Sequence, residues 1–263
     1  MHRALTPAVL RSRMPSALPP LVLLPGTLCD ERVFAPLLAA LQEEFHGLCA
    51  NVILSAHHTT MQSAAMDVLA GAPERFALLG FSLGGLLALE MAHLAPERIV
   101  GLALLNVNAA PAPMHTHAAR HAAVLQAEAT GVGEYVRQHL WPSYVAAASQ
   151  QNAALQDLIA DMAQKLGPAA FASQTEAALT RRDYRPLVSA LTMPTLVQAG
   201  EEDAVCPVAA QQQLAQAFPH ATFDVIPDAG HFALLEQQDA VAASVAGWFH
   251  NVTQQHRTKQ EIQ

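Results

Sequence analysis

The sequence predicts an α/β protein, a mostly parallel sheet flanked by helices with an inserted helical segment. Short runs that are apolar at every position recur between helical stretches, as strands do when helices cover both faces of a sheet. One run ends in Gly80-Phe81-Ser82-Leu83-Gly84, a tight turn followed at once by helical composition. A long Ala/Gln-rich stretch with no strand signal then separates two strand-containing halves.

Leu21-Val22-Leu23-Leu24 reads as a short buried strand ended by Pro25-Gly26, after which Asp30 caps a helix from about Arg32 to Glu44. Gly47 to Leu54 is the next expected strand, and Thr60 to Ala70 a helix. Phe76 to Leu79 leads into the serine turn, the helix behind it runs to about Leu94, and Ile99 to Leu105 is apolar throughout. Pro111 and Pro113 open the helical region, which lasts to about Leu191. The expected layout is a core at 21–108 and 192–250 with a helical cap at 109–191, over the strand ends where open α/β sheets bind ligands. The sheet resumes at Met193 to Gly200, then a helix from Ala209 to Ala217, a strand from Thr222 to Ile226 and a final helix from Ala240 to Phe249. Residues 1–20, with arginines interrupted by prolines, are expected to be a disordered leader, and 251–263 a frayed polar tail.

The chemistry starts at Ser82. Small residues two before and two after it let strand and helix pass without a clash, and the strained turn exposes the hydroxyl at a helix N-terminus. A serine hydroxyl is a weak nucleophile until a base takes its proton. His231 is the candidate, in the loop Pro227-Asp228-Ala229-Gly230-His231-Phe232 between the last strand and the last helix. The base needs a carboxylate to fix its tautomer. Asp203, in Gly200-Glu201-Glu202-Asp203-Ala204-Val205, is preferred over its rivals Glu201 and Glu202 because it lies three residues past the glycine and precedes Val205, whose side chain is expected to be buried. Acyl transfer also needs donors for a tetrahedral oxyanion. The Leu83 amide supplies one by position, and the Thr27 amide after Gly26 the other, with its hydroxyl as a further contributor. Leu28, Trp141, Tyr144 and Phe232 are candidate pocket residues, although for Trp141, Tyr144 and Phe171 structural packing is the preferred reading over pocket lining. Arg181 and Arg182 have two readings, contact with an anionic substrate group and a solvated helix end, of which the second is the commoner. His115, His117 and His121 read as a decorated cap surface with no nearby carboxylate or cysteine ligand, so neither metal nor cofactor is expected.

Composition narrows the partners. A formal net charge of −8 argues against nucleic acid and anionic membrane surfaces and favours a neutral small molecule. No apolar run reaches the roughly 18 residues of a membrane-spanning helix. Cys29, Cys49 and Cys206 are too scattered for a disulfide framework and are expected to be reduced, buried thiols. Asn251-Val252-Thr253 matches a glycosylation acceptor but no secretion signal accompanies it, so the expected location is cytoplasmic.

Taken together, Leu23-Leu24-Pro25-Gly26-Thr27, Gly80-Phe81-Ser82-Leu83-Gly84-Gly85, Ala95-Pro96-Glu97-Arg98-Ile99, Gly200-Glu201-Glu202-Asp203 with Pro207, and Gly230-His231 with Leu235-Glu236 resemble the α/β-hydrolase superfamily over about Leu21 to Phe249. The chain looks most like its small capped bacterial esterases, in the carboxylesterase, methyl-ester esterase and C–C hydrolase group. Two features depart from that group: Pro25 stands where many members carry histidine, and the usual Asp-Arg-Gly-His loop is missing near Ser55 to Thr59. The resemblance implies an α/β-hydrolase fold and a serine hydrolase acting on a small carboxylic ester or thioester through an acyl-enzyme on Ser82. The same residues can serve C–C bond hydrolysis, and a quiet ligand receptor that keeps the pocket is the remaining alternative. A serine at the turn sets the chain apart from haloalkane dehalogenases and epoxide hydrolases, which use aspartate.

Overall fold

The computed structural model describes residues 18–54 and 57–261, the last three of them by backbone alone. Residues 1–17 of the expected leader lie outside the described residues, as do 262–263 of the expected tail.

Six parallel strands, β1 (Leu21–Leu24), β2 (Ala50–Val52), β3 (Phe76–Phe81), β4 (Ile99–Leu105), β5 (Thr195–Gly200) and β6 (Ala221–Ile226), form one sheet in the order β2-β1-β3-β4-β5-β6. Alternation of side chains explains why β1, β3 and β5 are apolar or small at nearly every position. Leu21 and Leu23 pack to one side with Leu37 and Leu41 of α1 (Ala35–Glu44) and Val245 and Phe249 of the last helix. Val22 and Leu24 pack to the other with Met61 of α2 (Met61–Gly71), Leu87 of α3 (Leu83–Leu94) and Leu214 of a later helix. The edge strand β2 is three residues long and only half-buried, well short of the stretch from Gly47 to Leu54, because an edge strand has a neighbour on one side alone.

Between β4 and β5 the described residues form helices and turns only: α4 (His117–Thr130), α5 (Val132–Tyr135), α6 (Trp141–Tyr144) and α7 (Ala153–Leu179). The last is two helices in line. Gly167 at φ 77 breaks it and Pro168 restarts it, glycine supplying the left-handed backbone and proline fitting a helix's first turn. After β5 come α8 (Val208–Ala217), β6, the four-residue α9 (Ala233–Glu236) and α10 (Gln238–Glu261).

The frayed tail is corrected by α10, which continues twelve residues beyond Phe249 to Glu261. Its otherwise polar extension hides one apolar contact: Val252 is buried against Gly101 of β4, where an added Cβ would meet Val252 Cγ2 at 2.3 Å. Thr253 Oγ1 donates to Phe249 O at 2.8 Å, so the buried hydroxyl is satisfied within the helix. None of the helices among the described residues is long and apolar enough to cross a membrane.

Candidate active site

The proposed chemical groups come from loops at the carboxyl ends of the strands. Ser82 follows β3 with φ 52 and ψ −115, a strained conformation for a residue bearing a Cβ. Leu28, Asn106 and Asp228, which follow β1, β4 and β6, also have positive φ, so the four described non-glycine residues of this kind all stand at this end of the sheet. Glycine is needed on both sides of Ser82. A Cβ on Gly80 would lie 2.4 Å from Gly84 O, and one on Gly84 would lie 2.0 Å from Leu24 O. Each bulk would push α3 off the sheet.

His231 is buried, and its Nε2 lies 2.8 Å from Ser82 Oγ. Its Nδ1 lies 3.1 and 3.0 Å from the two carboxylate oxygens of Asp203. The Asp203 carboxylate is held in turn. Oδ1 accepts from the amides of Val205 at 2.9 Å and Cys206 at 2.8 Å, and Oδ2 accepts from Asn106 Nδ2 at 2.8 Å. Burial raises this carboxyl, but the His231 charge and hydrogen bond, the Cys206 amide and Asn106 outweigh it and hold the group below the usual range. Of the rivals, Glu202 accepts from the Ala147 amide at 2.9 Å and Glu201 faces the Asp228 amide at 3.4 Å, both away from His231. The side chain of Val205, expected to be buried, is exposed; only its amide serves Asp203.

Asn106 is a member of this cluster with no signal in the sequence. It stands one residue past β4, far from the serine turn and the histidine loop in sequence, and Nδ2 also reaches Gly230 O at 3.3 Å. The histidine loop is fixed further by Glu236, whose carboxylate accepts from Gly230 N at 2.8 Å and Ala146 N at 2.7 Å. Gly230 has no room for a side chain, since a Cβ would meet Ala146 N at 2.6 Å.

A cavity of about 460 Å³ opens over these groups. Ser82 and His231 line it, with Thr27, Leu83, Tyr144 and Phe232 of the expected residues. Phe171 lines it too. Tyr144 stacks beside both His231 and Phe232, at centroid distances of 6.0 and 5.0 Å. Two expected pocket residues do not reach the cavity. Leu28 is buried in the core, its amide donating to Gln174 Oε1 of α7 at 2.9 Å, and Trp141 is buried with its Nε1 donating to Gln150 O at 3.2 Å. Both side chains pack the scaffold. Arg181, read as a solvated helix-end residue, lines the cavity, and so does Arg120 of α4, which no pattern in its Ala-rich helix singled out.

Asp203, Cys206 and His231 are the described group that brings three potential metal-ligand atoms together, all within 4.8 Å. Burial, with the charge of Asp203, pushes the Cys206 thiol well above its ordinary range, and both Asp203 oxygens are engaged by hydrogen bonds. A protonated thiol and an engaged carboxylate are poor metal ligands. His121 meets Glu176 Oε1 at 2.7 Å, so a carboxylate does neighbour that histidine, through a contact spanning 55 residues. Cys29 and Cys206 are buried free thiols, whereas Cys49 is exposed.

Residues 68–238 match the family described as the alpha/beta hydrolase fold. RutD of Variovorax paradoxus, whose name assigns it to the carbamate hydrolases, is 32% identical over 167 residues. That alignment covers 62% of this chain and 61% of the relative, so the chain spans less than two thirds of that protein's length. The pimeloyl-[acyl-carrier protein] methyl ester esterase of Aliivibrio salmonicida is 26% identical, over 83% of this chain and 87% of its own. Among solved structures, a thermophilic esterase from Thermogutta terrifontis with malate bound superposes with a TM-score of 0.79 at 25% identity, covering 89% of this chain and 90% of that one. The chain belongs to the alpha/beta hydrolase fold family.

Proposed function

We propose that the protein is a serine hydrolase that cleaves a small carboxylic ester or thioester through an acyl-enzyme on Ser82. The observation that carries this reading is the unbroken hydrogen-bonded line from Ser82 Oγ through His231 to Asp203 at the floor of a cavity large enough for a small ester. Similarity to proteins named for ester and carbamate hydrolysis supports it.

In this mechanism His231 Nε2 takes the Ser82 proton as Oγ attacks the acyl carbon, and Asp203 stabilises the imidazolium that forms. The tetrahedral oxygen is received by the amides of Thr27 and Leu83. Leu83 opens α3, so its N–H has no partner one turn back in the helix. Thr27 makes no amide hydrogen bond among the described residues, while the next amide, Leu28, is occupied by Gln174. Collapse of the intermediate breaks the bond to the leaving alcohol or thiol, which departs with the proton from His231. Water, activated by the same imidazole, then releases the acid and restores Ser82. The helices between β4 and β5 act as a cap, since α4, α6 and α7 contribute walls to the cavity.

A fluorophosphonate probe followed by peptide mapping tests the reading. Labelling is expected at Ser82 and is expected to disappear in Ser82→Ala, which also loses 4-nitrophenyl butyrate hydrolysis while its circular dichroism stays that of the wild type. Near-wild-type turnover by folded Ser82→Ala would sink the mechanism.

A further inference from the structure

The cavity over Ser82 is cationic on its cap side. Arg120 and Arg181 both line it, and no acidic side chain among the described residues does. Arg32, Arg137, Arg182 and Arg185 each pair with a carboxylate, and Arg98 is held by backbone carbonyls, but none of these lines the cavity. The Arg120 side chain makes no hydrogen bond or ion pair among the described residues. Arg181 spends Nε on Ala110 O at 2.8 Å and Nη1 on Ala178 O at 2.5 Å, which orient the guanidinium and leave Nη2 without a partner among the described residues. The carbonyls of Ala110 and Ala178 account for one arginine at that position; they do not account for a second facing the same space. The two cations also feel each other, for burial first and then the Arg120 charge lower the pKa of Arg181. Like charges held together at one cavity wall are stabilised when an anion sits between them, and the guanidinium fork matches the two oxygens of a carboxylate.

We propose that Arg120 and Arg181 form an anion subsite that binds a carboxylate at the remote end of the substrate, so that the preferred ester is a half-ester of a dicarboxylic acid rather than a neutral one. This rests on the acyl-enzyme reading for its chemistry but not for its binding. It reverses the neutral substrate favoured by net charge, because the field inside a cavity is set by the groups lining it and not by the sum over the surface. Polar liners such as Asn108 and Thr175 add neutral hydrogen-bonding capacity to the same walls.

The test compares 4-nitrophenyl hydrogen glutarate with 4-nitrophenyl pentanoate, which has the same number of acyl carbons without the charge. For the wild type kcat/KM is expected to favour the anionic ester by about tenfold, the effect of one or two charge-assisted hydrogen bonds. Arg120→Gln and Arg181→Gln are each expected to lower that preference severalfold, mainly through KM, with Arg120→Lys retaining part of it. In parallel, calorimetry at low salt on Ser82→Ala measures binding of glutarate and of inorganic phosphate separately. Glutarate binding that weakens on adding Arg120→Gln supports the subsite whether or not the protein turns over either ester. Hydrolysis of both esters with no anionic preference, together with no glutarate binding, overturns the subsite and leaves the acyl-enzyme reading standing. Failure to hydrolyse or label, with glutarate still bound, overturns the acyl-enzyme reading alone. Phosphate bound more tightly than glutarate overturns the carboxylate assignment.

Discussion

Ser82 is held at φ 52 by its neighbours, not by its own preference. Its amide donates to Leu105 O at 2.9 Å and its carbonyl accepts from Gly85 and Leu86, so the strained residue is fixed from both sides. The same over-determination appears at Asp203, where four protein donors within 3.1 Å converge on one carboxylate. Removing its charge is therefore expected to change the imidazole tautomer without moving the loop. Asp203→Asn is expected to lower kcat for 4-nitrophenyl butyrate by about a thousandfold or more, while Glu202→Gln, whose carboxylate accepts from the Ala147 amide and not from His231, stays near wild type. Steady-state kinetics on the two variants decides the matter, and a larger loss in Glu202→Gln would move the acid to that residue.

At the scale of elements, one arginine ties the carboxyl end of α2 to the entry of β3. Arg98 donates to Leu69 O and Ala72 O at 2.9 Å, to Pro73 O at 2.8 Å and to Glu74 O at 3.2 Å, and its guanidinium lies 5.7 Å from the Phe76 ring centroid. These carbonyls have no helical partner, and a cation at a helix carboxyl end satisfies them and opposes the dipole. Arg98→Ala is expected to cost on the order of 2 kcal/mol, read as a lower urea midpoint with an unchanged slope. Arg98→Lys should recover less than half, since one ammonium cannot span the set. A midpoint within error of wild type for Arg98→Ala would show that water serves the carbonyls equally well. Across the cavity, Gln174 of α7 performs a comparable service for the loop after β1, pinning the Leu28 amide.

At the scale of the molecule, the helical insertion is attached to the core by charge as well as by packing. Buried Asp30 accepts from Arg32 Nη2 at 2.8 Å and Lys165 Nζ of α7 at 3.2 Å, and Arg32 continues to Asp161 of α7 at 2.6 Å. Burial raises the Asp30 carboxyl, but the bonds from Arg32 and Lys165 and the Arg32 charge outweigh it and bring it below 3.8, its ordinary value. A carboxyl depressed in the folded state contributes stability that is whole above the unfolded pKa and is lost as pH falls through the folded one. The stability gap between wild type and Asp30→Asn is thus expected to be constant from neutral pH to about pH 5 and to close below 3.8. Urea melts across that range measure it. A gap that widens on acidification would mean that the carboxyl is not stabilised by its partners.

Local chemistry determined much of this protein. Runs of apolar residues specify strands wherever both faces of a sheet are covered. Gly80 is demanded by backbone sterics within five residues, and the need for a histidine and a carboxylate follows from what a serine nucleophile requires of its neighbours. Only tertiary structure decided the rest. Three acids stand side by side at 201–203, and which one faces His231 depends on how the turn after β5 meets the loop after β6. The same holds for Asn106, for the buried Val252 that carries α10 to Glu261, and for Leu28 and Trp141, which pack inward instead of lining the cavity. Arg120 and Arg181 lie 61 residues apart in α4 and just past α7, and they share a wall only because those helices pack together over the strand ends. Side-chain direction in such contacts is fixed by packing between elements distant in the chain, which no local pattern encodes.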